Sequence, residues 1–243
     1  MNVKYVILSL CIGVCSQQAI ASSITIGVYS YQPEVRFVKG DNGKQVAQGQ
    51  SVDLLRKVVL ASGNEVNFVK LPLTRALKAL ENNKVDMLFP VIDPPASLKI
   101  VSQPVVKSVP GLCFKPEKFV AILSAEQQLK GMTIAYEAGT SISPLKEGPA
   151  RLREVYGSDV RARMFSMLEK GRVNAFYHPN PRTIYQQSLP TYQKIACSYY
   201  YGYTSNIYLG ASNRFFEEQN DEFNEIQQQL KREIQAMKNT KKS

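Results

Sequence analysis

The stretch from Ile24 to Ile92 constrains the fold most, because its strand, helix and turn signals follow one another in a fixed order. Alternating apolar residues predict three strands, over residues 24–28, 65–71 and 84–91. Two runs with helical spacing lie between these strands, and Ser51 and Thr74 are predicted as their N-caps. This βαβαβ order predicts an α/β fold, in which helices cover the faces of a parallel sheet.

Three aromatic residues follow or end the predicted strands. Parallel sheets bind ligands at the carboxyl ends of their strands, and Tyr29, Tyr31 and Phe89 occupy those positions here. We therefore predict that they wall a ligand pocket. Ordinary packing is the alternative role for aromatic residues at such positions.

A partial repeat suggests a second lobe. Residues 80–87 (Leu-Glu-Asn-Asn-Lys-Val-Asp-Met) resemble residues 168–175 (Leu-Glu-Lys-Gly-Arg-Val-Asn-Ala). Both read as the end of a helix followed by a buried strand. Any junction of this kind produces a similar pattern, but the shared Leu-Glu and Val-Asp/Asn frame favours two related lobes.

Later segments continue the α/β pattern. Strands are predicted over residues 111–114, 132–136, 173–177 and 207–211. Near the carboxyl terminus, apolar residues recur at the spacing of one buried helical stripe: Phe223, Ile226, Leu230, Ile234 and Met237.

The amino-terminal residues 1–21 are predicted to be a signal peptide. Lys4 precedes an apolar stretch that is too short to span a bilayer, and Ala19-Ile20-Ala21 forms a cleavage site before Ser22. A lipid anchor on Cys11 or Cys15 is the alternative. We expect an exported, periplasmic protein that begins near Ser22.

Export changes what the cysteines imply. The chain has 4 cysteines, and removal of the signal leaves Cys113 and Cys197 in an oxidising compartment. An even pair suggests a disulfide, while two buried free thiols are the alternative. Sequence alone does not show whether the two Cα atoms come close enough to be bridged.

The positive charge does not indicate nucleic acid. The formal net charge is +10, but the dense basic cluster is the tail from Lys238 to Lys242, which reads as a solvated end. Aromatic residues are not interleaved with Lys and Arg as in a nucleic-acid groove. We therefore predict no nucleic-acid partner and assign the charge to solubility.

Catalytic and metal-binding patterns are scarce. His178 is the single histidine, so a histidine-rich metal site is excluded, and the chain has no G-x-S-x-G motif and no phosphate-binding glycine loop. We predict no metal and no cofactor. A Cys–His pair is conceivable only if the cysteines stay reduced.

Several polar residues are candidates for ligand binding. His178 follows a predicted strand, so it is either a ligand-binding residue or a loop histidine bonded to backbone. Thr140 and Ser141 precede a predicted helix, so they either offer hydroxyl and N–H groups to an anion or polar ligand or serve only in an ordinary turn. Arg75 lies in the first turn of a helix, where a cation is disfavoured, so we expect a specific acidic partner for it.

In its order of motifs the chain resembles the family 3 extracytoplasmic solute-binding proteins, the amino-acid-type receptors of bacterial ABC importers. The resemblance covers nearly the whole mature chain, and each of its motifs is loose. In chain order the motifs are Gly27-Val28, residues 49–54, Leu73-Thr74-Arg75, Lys84-Val85-Asp86, Ser102-Gln103-Pro104, Gly139-Thr140, residues 171–175 and residues 207–210.

The resemblance implies a type II periplasmic binding protein, with two lobes that each contain a mostly parallel sheet flanked by helices. Lobe 1 would comprise residues 22–105 and 206–243, and lobe 2 residues 106–205. Hinge strands near residues 103–106 and 202–205 would join them and place Cys113 and Cys197 in one lobe.

Two departures from the family pattern bear on the ligand. The family's Thr-x-Thr-x-x-Arg segment clamps the ligand's α-carboxylate, but its positions here hold Val91 and Ala96. The family's second-lobe Asp, which holds the α-amino group, falls on His178. With both charged groups replaced, a standard free amino acid is not expected as the ligand.

The function implied is periplasmic capture of a small polar solute by hinge closure, without chemistry, in a monomer that serves an ABC permease. Lobe 1 would contribute Tyr29, Tyr31, Phe89 and Arg75, and lobe 2 would contribute Glu137, Thr140, Ser141 and His178. The alternatives are a ligand-sensing module and a dehydratase-like enzyme with Glu137 as its acid. Because an unperturbed histidine titrates near pH 6.5, a cleft-facing His178 predicts that affinity changes between about pH 5.5 and 8.

Overall fold

A computed structural model describes residues 22–118, 129–146, 148–157, 159–185, 194–200 and 203–240. The predicted signal peptide lies outside these ranges, and so does Gly202 of the second predicted hinge segment.

The first sheet contains the predicted βαβαβ unit. Its six strands are β1 (Ser23–Val28), β4 (Glu65–Lys70), β5 (Met87–Ile92), β6 (Lys99–Ile100), β7 (Val106–Ser108) and β13 (Ser205–Ala211). They lie in the order β4-β1-β5-β13-β6, with β7 beside β13. β1 is parallel to β4 and β5, as expected, whereas β13 is antiparallel to β5, β6 and β7. The sheet is therefore mixed, with two parallel and three antiparallel strand pairings, rather than mostly parallel.

Four helices and a hairpin accompany this sheet: α1 (Gln50–Ala61), α2 (Leu73–Glu81), α5 (Asn213–Glu218), α6 (Asn220–Thr240), β2 (Arg36–Lys39) and β3 (Gln45–Gln48). The predicted apolar stripe of α6 packs in the core formed by this sheet and its helices, through Phe223, Ile226, Leu230 and Ile234. Met237, the last residue of the stripe, is 43% exposed.

Both predicted helix caps are wrong by two residues. α1 begins at Gln50 after Gly49, and Ser51 is buried inside the helix, where its hydroxyl donates to Glu34 Oε2 at 2.6 Å. Gly49 has φ of 135°, and a Cβ there would lie 2.2 Å from the Glu34 carbonyl oxygen, so glycine is required. α2 begins at Leu73 after Pro72, which places Thr74 inside the first turn.

The second sheet has the order β10-β9-β11-β8-β12. Its strands are β8 (Gly111–Phe114), β9 (Thr133–Glu137), β10 (Arg151–Val155), β11 (Ala175–His178) and β12 (Ala196–Tyr199). β9 is parallel to β10 and β11, whereas β8 is antiparallel to β11 and β12. The helices α3 (Val160–Glu169) and α4 (Arg182–Tyr185) accompany it.

A disulfide joins Cys113 and Cys197, as the sequence suggested. The two residues face each other on the antiparallel strands β8 and β12 and lie in the core that α3 covers. The bridge therefore fixes the edge strand β12 to its neighbour β8.

Two chain segments cross between the sheets side by side. β7 pairs with the start of β13, with Ser108 opposite Ser205 and Val106 opposite Ile207. We refer to the six-stranded sheet with its helices as lobe 1, and to the five-stranded sheet with its helices as lobe 2. The division at residues 105/106 and 205/206 stays a prediction, because the crossing segments pair on both sides of it. The two-lobed α/β architecture is confirmed.

Candidate functional site

A cavity of about 70 Å³ lies between the lobes. It is at the carboxyl ends of β1, β5, β9 and β11, where parallel strands present residues to a ligand. Six of the eight predicted ligand-binding residues line it: Tyr29, Tyr31, Glu137, Thr140, Ser141 and His178.

Phe89 does not line the cavity, although its position near a strand's end suggested that it would. β5 continues for three residues beyond it to Ile92, which lines the cavity instead. The Phe89 side chain is fully buried and packs in the core of lobe 1. It is therefore a packing residue in this structure.

Arg75 lies beside the cavity rather than on it. It lines a neighbouring groove of about 690 Å³, which shares Tyr29, Leu73 and Glu137 with the cavity. The first turn of α2 holds no acidic residue, and none of the ion pairs among the described residues includes Arg75. A ligand within the cavity proper would meet Glu137 but not Arg75.

Arg161 is a cationic residue that lines the cavity and was not predicted from the sequence. It lies in the first turn of α3, where the helix dipole disfavours a positive charge. The same reasoning that singled out Arg75 could therefore have found it. Arg161 adds to the effect of burial in lowering the pKa of His178, and it opposes the effect of burial in raising the pKa of Glu137. Its positive potential therefore reaches both side chains.

His178 is buried at the end of β11 and is not a loop residue. Its Nδ1 accepts a hydrogen bond from the backbone N–H of Asn180 at 3.0 Å, so the neutral ring carries its proton on Nε2. Burial, reinforced by Arg161, lowers the pKa of His178 to about 3. The expected change of affinity between pH 5.5 and 8 is therefore wrong, because the imidazole stays neutral throughout that range.

Glu137 ends β9, the strand beside the one that His178 ends. β9 and β11 are parallel, with Ala135 opposite Phe176, and continuing that register by two residues brings Glu137 level with His178. Burial raises the pKa of Glu137, while Arg161 opposes that shift. Second-lobe residues thus present a carboxyl group, a neutral imidazole and a guanidinium to one small space.

Phenol hydroxyl groups surround the same space. Burial raises the pKa values of Tyr29 and Tyr177 above the ordinary value for tyrosine, so both stay protonated at neutral pH. The hydroxyl of Tyr31 hydrogen-bonds Ser108 Oγ at 3.0 Å, and Ser108 donates to the Pro179 carbonyl oxygen at 2.9 Å. This chain of bonds connects lobe 1, a crossing segment and lobe 2.

Asp93 makes a second connection between the lobes. Its Oδ2 accepts a hydrogen bond from Ser143 Oγ at 2.6 Å and another from Ser141 Oγ. Asp93 lies between the two positions where the family's carboxylate clamp was expected. Val91 is 5% exposed and packs in an apolar cluster, and neither Val91 nor Ala96 lines the cavity.

The lobes also touch at Gly139. Its φ is +84°, and a Cβ there would lie 3.2 Å from Leu73 Cγ and 3.3 Å from Thr74 Cα. Gly139 therefore lets the backbone of lobe 2 approach α2 closely. Together with the Asp93 contacts, this approach describes a closed arrangement of the lobes.

Gly139→Asn should weaken ligand capture at least tenfold, because its side chain would hold the lobes apart. Gly171→Asn is the matched control: its φ is also positive, at +66°, but a Cβ there meets nothing within 4 Å, and asparagine tolerates this conformation in both places. Small-angle scattering should show a more open particle for Gly139→Asn and no change for Gly171→Asn. Equal behaviour of the two variants would mean that backbone strain, not contact between the lobes, explains the effect.

Neither a metal site nor a membrane-spanning helix is found within the described ranges. No three side chains of His, Cys, Asp or Glu are grouped there as a metal site requires. In the same part of the chain, no helix combines the length and the apolar character of a membrane span.

Solved structures share this architecture at low sequence identity. One is the substrate-binding protein of an amino acid ABC transporter, with 17% identity and a TM-score of 0.69, covering 90% of this chain and 96% of that one. Another is the amino acid ABC transporter substrate-binding protein AbpA from Streptococcus pneumoniae bound to L-arginine, with 14% identity and a TM-score of 0.68, covering 88% of this chain and 90% of that one.

A third similar structure is an ancestral amino acid-binding protein, AncCDT-1, a precursor of cyclohexadienyl dehydratase. It has 19% identity and a TM-score of 0.66, and the match covers 88% of this chain and 90% of that one. No protein-family model and no curated protein sequence matches the chain. The chain thus has the two-lobed fold of the substrate-binding proteins of amino-acid ABC transporters.

Proposed function

We propose that this protein is a periplasmic solute-binding protein that captures a small polar solute by hinge closure and delivers it to an ABC importer. The observation that carries the proposal is the polar, charged cavity enclosed between two lobes at the carboxyl ends of their strands. The signal-like residues 1–21 support an exported protein that starts near Ser22. We expect it to act as a monomer.

Closure would be a shift between open and closed populations. Contacts such as Ser143–Asp93 join residues of different lobes, so they form only when the lobes meet. A ligand that bridges the lobes adds contacts that only the closed state makes, and it shifts the population by that difference in affinity. The crossing segments β7 and β13 would absorb the rotation.

The solute is not a standard free α-amino acid in this proposal. The positions of the family's carboxylate clamp hold Val91 and Ala96, and the position of its ammonium-binding Asp holds a neutral His178. Losing one partner of a charge-assisted bidentate pair costs roughly 2–5 kcal/mol, which weakens affinity by about 30-fold to several thousand-fold.

A calorimetric screen of the common amino acids tests this expectation. We expect no dissociation constant below about 30 μM for any of them. A receptor that binds at about 1 μM, or about −8 kcal/mol, would bind about 30-fold or more weakly without the clamp. Native mass spectrometry of protein purified without denaturation should reveal a co-purified small molecule. A common amino acid bound at micromolar affinity would contradict the exclusion of standard amino acids as the solute. Failure to bind any small molecule would contradict the solute-binding role.

A dehydratase-like enzyme is the second candidate, and Glu137 is the observation that favours it. Burial raises the pKa of this carboxyl group in the cavity, and such a group can act as a general acid. Turnover of a candidate cyclohexadienyl acid, lost in Glu137→Gln, would establish the enzyme. A ligand sensor without transport is the third candidate, and ligand-dependent binding to a membrane receptor rather than to a permease would identify it.

A further inference from the structure

We propose that the solute is a small hydroxycarboxylate, whose carboxylate binds Arg161 and whose hydroxyl bridges Glu137 and His178. This inference rests on the proposed solute-binding function and names the class of solute. It assigns the anion-binding role to lobe 2, whereas the family's clamp belongs to lobe 1.

Arg161 is the group that would hold the carboxylate. It is the one cationic side chain among the described residues that line the cavity. The ion pairs within the described part of the chain join Arg56 to Asp53, Lys57 to Glu233 and Arg214 to Asp86, and none of them engages Arg161. A guanidinium presents a planar fork of N–H donors that matches a carboxylate, so a bound carboxylate would satisfy it.

The neighbouring pair Glu137 and His178 would select a hydroxyl. Nδ1 of His178 is already bonded to the Asn180 N–H, so the nitrogen left for a ligand is Nε2, which is a donor. Glu137 is an acceptor when ionised. A hydroxyl donates one hydrogen bond and accepts others, so it can donate to Glu137 while it accepts from His178.

An ammonium group matches this pair poorly. It carries three donors and no acceptor, so it would face the Nε2–H of His178 donor to donor. It would also experience the positive potential of Arg161, which already affects both Glu137 and His178. A hydroxyl can therefore satisfy both members of the pair, whereas the amino group of an α-amino acid can satisfy Glu137 alone.

The cavity also limits the size of the solute. Its volume of about 70 Å³ is far below the roughly 300–1,000 Å³ of pockets for drug-sized ligands. Thr140 and the phenols of Tyr29 and Tyr177 also line it, and their hydroxyl groups can donate to further oxygen atoms. Ser141 lines it too, but its hydroxyl already donates to Asp93, so it is left as an acceptor. A compact acid that is rich in oxygen is consistent with these surroundings.

Matched pairs of acids test the proposal by calorimetry on the mature protein. The hydroxy acids glycolate, lactate and glycerate are compared with glycine, alanine and serine, in which an ammonium replaces the α-hydroxyl. Propionate lacks both groups. We expect at least one hydroxy acid to bind, and to bind at least tenfold more tightly than its amino counterpart and than propionate.

Variants then locate the carboxylate. Arg161→Gln should weaken binding of the hydroxy acid at least 100-fold, while Arg172→Gln, an equal change of charge at an exposed position in the turn after α3, should leave its affinity within twofold. Circular dichroism would confirm that both variants fold. An unchanged affinity for Arg161→Gln overturns the assignment of the carboxylate.

The remaining outcomes separate this proposal from the proposed function. An amino acid that binds as tightly as its hydroxy counterpart, or no binding of any hydroxy acid, overturns the solute class. If native mass spectrometry then finds a different bound solute, the solute-binding function still stands. If no solute is found at all, the function itself fails.

Discussion

Removal of the Cys113–Cys197 disulfide will lower the free energy of unfolding by about 4–5 kcal/mol in the double variant Cys113→Ala, Cys197→Ala. The bridge connects residues that are 84 positions apart in sequence. A cross-link over a loop of this length removes much conformational entropy from the unfolded chain, by about 4.5 kcal/mol in the chain-entropy treatment. Alanine is chosen because both cysteines are buried, where a serine hydroxyl would need a partner.

Denaturant titration measures this loss, and chemical reduction of the wild-type protein is its matched control. Reduction breaks the same cross-link without changing any side chain volume. Both treatments should lower the unfolding midpoint by similar amounts. A loss below about 1 kcal/mol in the reduced wild type would show that the cross-link contributes little and that the two cysteines act mainly through packing.

Acidification will destabilise the fold through His178, by roughly 2–3 kcal/mol between pH 6 and pH 4. The pKa of His178 is about 3 in the folded protein, against about 6.5 in the unfolded chain. Between these values the unfolded state binds more protons than the folded state. Stability from the neutral imidazole is therefore present above pH 6.5 and is lost as the pH falls towards 3.

The variant His178→Asn isolates this contribution, because an amide oxygen can accept the Asn180 N–H and does not titrate in this range. Glu137 acts in the opposite direction, since its raised pKa favours the folded state as the pH falls. Subtracting the free energy of unfolding of the variant from that of the wild type at each pH removes the contribution of Glu137 and of every other group that both proteins share. If both proteins lose stability equally from pH 6 to pH 4, His178 is not buried as the structure indicates.

Much of the fold could be predicted from the sequence, because local signals decided it. The order of strands and helices from Ile24 to Ile92 predicted the first half of lobe 1, and the buried stripe of α6 followed from its spacing alone. The cap of α1 was wrong because a tertiary contact engages the residue that was expected to cap it. Ser51 bonds the side chain of Glu34, which sequence spacing could not show.

The site was predictable where it depended on strand ends. Tyr29, Glu137 and His178 follow or end predicted strands, and parallel strands bring such residues to one edge. Arg161 was missed because α3 is brought to the cavity by β10, whose sequence Arg-Leu-Arg-Glu-Val is mostly exposed and lacks a clear apolar alternation. The low pKa of His178 could not be predicted either, because its burial and its proximity to Arg161 arise only when the chain folds.

The position of β13 has a consequence for the order in which the lobes can form during synthesis. β13 lies between β5 and β6 in the sheet of lobe 1, and the core of that lobe also takes residues from α5 and α6. A chain that emerges from its amino terminus therefore presents β1, β4 and β5 with one edge of the sheet unpaired until β13 arrives. The strands of lobe 2 lie between β7 and β13, so they can all pair before that moment. The lobe that begins the chain is the one completed last.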